Sequence, residues 1–120
     1  MKDKLDIMFE TQYNLQDKLN IWNQTKTLEG RQQYVNQMIL ACQEEIVEIM
    51  RETAYKNKDL LPFGWKKQQQ WNVDNYKDEI IDLFHFLMNL SLVVGMDSSE
   101  FFERYKQKNE INIKRQKEGY

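Results

Sequence analysis

A chain of 120 residues with 41% hydrophobic and 30% charged residues, four Gly and one Pro suits one folded, mostly helical unit over residues 1–120, and it excludes a disordered tail or a turn-rich sandwich. The formal net charge of −2 gives no general drive toward polyanions, which argues against a nucleic-acid binder, and the single cysteine, Cys42, excludes an intramolecular disulfide. The opening MKDKLDIMFE lacks the apolar core of a signal peptide, so a cytoplasmic protein is expected; Ile80 to Met96 is too short and too interrupted for a membrane span.

Leu5, Met8, Leu15, Leu19 and Trp22 recur at helical spacing and predict a first helix over about residues 4–24. Gln12, Gln16 and Asn20 form a row beside that stripe. Residues 25–30 read as a connection, after which Val35, Met38, Ile39, Cys42, Ile46 and Ile49 trace a second helix to about Lys56, with Glu45, Glu48 and Glu52 along its edge. Residues 57–72 hold the only proline and no clear period, which predicts an ordered loop carrying Trp65 and Trp71. The third helix is expected from Val73 or Asp74 to Val94, with Gly95 as a left-handed cap residue. From Leu83 onward it is apolar on most sides, the pattern of a helix at the centre of a bundle or in a subunit interface, so a dimer is expected. Asp97 and Glu100 have the spacing of an N-cap and its N3 partner and start a fourth helix anchored by Phe101, Phe102 and Tyr105. Beyond Tyr105 that helix turns polar and basic, with Lys108, Asn112 and Arg115 on one side.

Glu45 and Glu48 are three apart on the second helix, as Glu79 and Asp82 are on the third, so each pair presents two carboxylates from one face. Facing one another, the pairs would make a four-carboxylate cluster. Like charges brought together out of water take up protons or recruit a cation, and hard oxygen donors suit Mg²⁺ or Mn²⁺. An isolated Glu-x-x-Glu pair is more often a solvated surface; here both pairs border apolar stripes, and a basic run lies elsewhere in the chain. His85, Cys42, Trp22 and Trp71 read as packing residues, whereas Trp65 is balanced between packing and stacking on a ligand.

Four segments together resemble the motifs of the all-α, dimeric dUTPases within the MazG-like nucleoside triphosphate pyrophosphatases. They are QDKLN at 16–20, EEIVE at 44–48, EIIDLFHFL at 79–87 and YKQKNEINIKRQKEGY at 105–120. The paired acids are shared across that superfamily, while the terminal string is more diagnostic of the dUTPase branch. The resemblance implies an all-α, four-to-five-helix bundle, a homodimer, and Mg²⁺ held by Glu45, Glu48, Glu79 and Asp82 against the triphosphate of dUTP. It implies hydrolysis to dUMP and pyrophosphate by an activated water, with Glu45 as the candidate base beside Glu48. It also implies that Gln16 and Asn20 read the uracil edge, that Trp65 stacks on the base, and that Lys108, Asn109, Asn112 and Arg115 hold sugar and phosphates.

An amide can present either hydrogen-bonding pattern, and phage relatives in this superfamily accept dCTP as well as dUTP, so dCTP or a broader set of nucleotides stays open, as does dUDP. A non-catalytic helical dimer binding a protein partner such as a repressor is the alternative from another class. Only about fifteen residues separate Asp82 from the fourth helix, fewer than in many dimeric dUTPases.

Overall fold

The computed structural model describes residues 1–55 and 66–119. Among them are five helices and no strand: α1 (Lys4–Lys18), α2 (Ile21–Gln24), α3 (Leu28–Arg51), α4 (Val73–Leu92) and α5 (Ser98–Lys117). The expected all-α class is what the chain adopts. α3 and α4 pair, α1 lies against α4, and α5 joins α1. Trp65, Pro62 and most of the expected loop over 57–72 lie outside the described residues.

Helix starts follow local chemistry. Asp3 and Asp6 form a reciprocal capping box on α1, the Asp6 N–H donating to Asp3 Oδ1 at 2.9 Å and the Asp3 N–H to Asp6 Oδ2 at 3.0 Å. Thr27, Asn72 and Asp97 each accept a backbone N–H at the starts of α3, α4 and α5. At α5 the box is half made: Asp97 accepts from the Glu100 N–H, while the Glu100 carboxylate pairs with Arg104 at 2.7 Å. The Ser98 hydroxyl donates to Asp6 and ties the start of α5 to the start of α1. Phe9 and Phe101, with ring centroids 5.4 Å apart, fill the same junction.

The first helix is not continuous to residue 24. It stops at Leu19, and Asn20 takes a left-handed conformation with φ 62° that asparagine tolerates better than most residues. The chain then turns back through α2, so that Trp22 stacks on Tyr13 at 5.3 Å and donates its indole N–H to the Tyr13 carbonyl at 3.0 Å. Gly30 makes the following corner possible. A Cβ there would stand 2.1 Å from the Gln24 carbonyl oxygen. At the same end of the α3–α4 pair, Gly95 has φ 78°, its N–H donates to the Leu92 carbonyl and the Met96 N–H to the Ser91 carbonyl, which closes α4 in a Schellman arrangement. The segment returning toward α4 is strapped to the end of α3: Gln69 Nε2 donates to the carbonyls of Arg51 at 2.6 Å and Thr53 at 2.7 Å.

Which face of α1 turns inward differs from the sequence expectation. Phe9, Gln12 and Gln16 are buried, while Met8, Leu15 and Leu19 are exposed. Two polar contacts account for this. Gln12 Nε2 donates to Asn89 Oδ1 at 2.8 Å, and the Tyr34 hydroxyl donates to Gln16 Oε1 at 2.9 Å, so the amides enter the interior already partnered.

The core of the single chain is thin. Among the described residues the buried hydrophobic ones are Phe9, Tyr34, Cys42 and Met88, whereas Ile39, Ile46, Ile81, Phe84 and Leu87 stay exposed. The chain shows 9558 Å² of surface, against about 6,900 Å² for a self-contained globule of its 14.7 kDa. Among the described residues no helix is long and apolar enough to cross a membrane.

Candidate metal centre

The register of α3 on α4 aligns the acids. Asn89 on α4 meets Met38 on α3, the Asn89 amide donating to the Met38 sulfur at 3.6 Å. Seven residues on from Met38 is Glu45, and seven back from Asn89 is Asp82; because the helices run antiparallel, two turns along each bring these carboxylates opposite one another. Glu79 lies one turn from Asp82 on the same face. One carboxylate oxygen from each of Glu45, Glu79 and Asp82 lies within 4.8 Å of the others. Glu48 faces toward its own C-terminal turn instead and pairs with Arg51 at 3.4 Å. The two expected pairs therefore converge as three acids, with the fourth one turn away.

Glu45 occupies the least comfortable place in the cluster. Its Oε2 is the one sealed side-chain oxygen or nitrogen among the described residues that lacks a hydrogen-bond partner. Burial, a hydrogen bond shared with Glu79, and the charges of Asp82, Glu79 and Glu48 push its carboxyl up to about 7. The neighbouring Cys42 thiol is raised too, by burial and by the Glu45 charge, which keeps it a protonated small hydrophobe. A divalent cation fits this donor set: the ligands are hard carboxylate oxygens, their charges repel one another, and one oxygen is sealed from water with nothing to accept from.

The other candidate residues are spread over three places. Gln16 is buried against Tyr34, whereas Asn20 sits exposed at the left-handed break between α1 and α2 and makes no side-chain cap bond. Trp65 lies outside the described residues. Lys108, Asn109, Asn112 and Arg115 are all exposed on the distal part of α5, whose own ion pairs include Arg104 with Glu100 and Lys106 with Glu103. Helical periodicity puts Lys108, Asn112 and Arg115 on one side, as the spacing predicts. His85 is exposed in the single chain, and Trp71 packs edge-on to Tyr76 at 5.4 Å. Sequence reasoning missed Tyr34 and Asn89. Neither belongs to a patterned group; each gains meaning only from the helix it meets.

A family model described as dUTPase matches residues 4–104. Among curated proteins, the dCTP pyrophosphatase of Enterobacteria phage T4 is 43% identical over 44 residues, 37% of this chain and 26% of the relative. That of Enterobacteria phage LZ5 is 48% identical over 44 residues, with the same shares. The matched stretch is thus about a quarter of the length of these relatives. No solved structure matches the chain.

Proposed function

We propose, because the chain belongs to the dUTPase family, that it hydrolyses dUTP to dUMP and pyrophosphate at the acids shared between α3 and α4. The observation that carries this reading is the convergence of Glu45, Glu79 and Asp82 around a sealed, unpartnered carboxylate oxygen. Glu45, Glu79 and Asp82 would hold Mg²⁺, or Mn²⁺ in its place, and Glu48 would join them by leaving Arg51. A bound cation supplies charge against the triphosphate and lowers the pKa of a water.

The protein's own side chains do the rest. Glu45 takes the proton of the attacking water through a carboxylate oxygen not committed to the cation. Lys108 and Arg115 hold the phosphates, and Asn109 and Asn112 donate to phosphate or sugar oxygens. Gln16 and Asn20 meet the edge of the base, and Trp65 stacks on its face. Two copies of the chain pair through the exposed apolar residues of α3 and α4. In support, the surface beyond that of a self-contained globule is on the scale that obligate dimers bury.

A second reading, preference for dCTP, is favoured by the names of the phage relatives. Release of pyrophosphate and monophosphate from dUTP, dCTP, dTTP, dATP, dGTP and UTP, with Mg²⁺ and with excess chelator, decides between them. Magnesium-dependent turnover confined largely to dUTP is expected. Dominant dCTP turnover would move the substrate to the second reading, and no turnover by well-folded protein would refute the enzyme.

A further inference from the structure

We propose that Tyr34 sets which pyrimidine this site accepts, by holding the Gln16 amide in the one orientation that offers the base a donor. The inference rests on the reading of Gln16 as a base-contacting residue and adds a control element on a different helix.

An unrestrained glutamine amide can flip and present either N–H or C=O. This one is restrained. Tyr34 and Gln16 are 6% and 7% exposed, and the phenol donates to Gln16 Oε1 at 2.9 Å. Burial pushes the phenol up to about 12, so it keeps its proton throughout the neutral range. A flip would set the Gln16 NH₂ against the hydroxyl and strip a buried O–H of the acceptor it has, a costly loss in such surroundings. One turn back along α1, the bond from Gln12 to Asn89 on α4 holds the helix in the same register. The Gln16 NH₂ itself makes no hydrogen bond among the described residues, yet Glu45 Oε2 is the one sealed orphan among their side-chain polar atoms. The amide nitrogen is therefore unbonded and not fully sealed, which leaves its N–H groups to meet a ligand.

Position agrees with this role. Tyr34 and Glu45 are eleven residues apart on α3, which is three turns, about 20° around the helix and roughly 16 Å along it. That span is comparable with an extended nucleoside triphosphate, base at the amide and phosphates at the acids. Uracil presents the O4 acceptor where cytosine presents an amino group. A donor fixed toward that position attracts the first and repels the second, whereas a freely flipping amide accommodates both.

The test is kcat/KM for dUTP and dCTP, with Mg²⁺, for the wild type, Tyr34→Phe and Gln16→Glu, each checked for helicity and mass in solution. Tyr34→Phe is expected to lower the dUTP-to-dCTP ratio by about tenfold, mostly through KM. Gln16→Glu leaves the Tyr34 hydroxyl an acceptor but turns an acceptor toward the base, and should invert the preference. An unchanged ratio in Tyr34→Phe, with both substrates slowed equally, would reduce Tyr34 to a packing residue and overturn the proposal. If Tyr34→Phe does not fold, Gln16→Glu decides, and an unchanged ratio there overturns it equally. A wild type that prefers dCTP refutes the donor assignment while leaving the pyrophosphatase reading in place; a folded wild type that turns over neither nucleotide removes both.

Discussion

Raising the pH from about 5 to 8 in the presence of a chelator should weaken the fold, and Glu45 should account for most of the change. In the folded chain its carboxyl stays protonated up to about 7, against an ordinary value of 4.5. Between those values the native state binds more protons than the unfolded chain, so stability is fully present below about 4.5 and is lost as pH rises through 7. At 1.36 kcal/mol for each tenfold change in proton affinity the upper limit is about 3 kcal/mol. Glu45 and Glu79 are half-buried and Asp82 is exposed, so solvent screening reduces this to roughly 1–2 kcal/mol. Urea denaturation at fixed protein concentration reads this as a fall in midpoint of roughly 0.5–1 M. Glu45→Gln, which cannot ionise, should flatten the profile. Millimolar Mg²⁺ should restore the wild type above pH 7, since a cation binds the assembled acids and not the unfolded chain. Equal pH slopes for the wild type and Glu45→Gln would refute this account of the cluster.

Three further outcomes are expected. Asp82→Asn removes one oxygen charge from an exposed position, so turnover should fall about 100-fold or more while the circular dichroism and melting temperature hold. Gly30→Ala must push the Gln24 carbonyl away from a contact of 2.1 Å, which should cost about 1–3 kcal/mol and appear as a lower melting temperature without loss of the metal-dependent chemistry. Sedimentation equilibrium at micromolar concentration should give twice the 14.7 kDa chain mass, and Phe84→Glu or Leu87→Glu, at exposed apolar positions, should halve it; a monomeric wild type would refute the pairing.

Spacing alone made the acid pairs legible, because two carboxylates three apart on a helix share a face whatever surrounds them. Their alignment across α3 and α4 was not: it depends on Met38 meeting Asn89, a contact between residues 51 apart that no local pattern encodes. Glu48 diverged from its expected partners for a local reason, since Arg51 stands one turn along the same helix. The reading of α1 failed where hydropathy is a poor guide. Gln12 and Gln16 enter the interior because Asn89 and Tyr34 meet their amides, and the apolar stripe they displaced faces outward. The break at Asn20 could have been suspected from asparagine's tolerance of left-handed backbone, but the helical period runs straight through it. The start of α5 at Asp97 and the cap at Gly95 were legible because they rest on single residues with specific backbone chemistry.

The strap from Gln69 to the carbonyls of Arg51 and Thr53 closes the connection between α3 and α4 at its base. The facing of Glu45 and Asp82 is set on the helix side of that closure. Lengthening a connection whose ends are already held together costs only about 0.6 kcal/mol per doubling. The acids can thus keep their alignment while the number of residues in this connection changes.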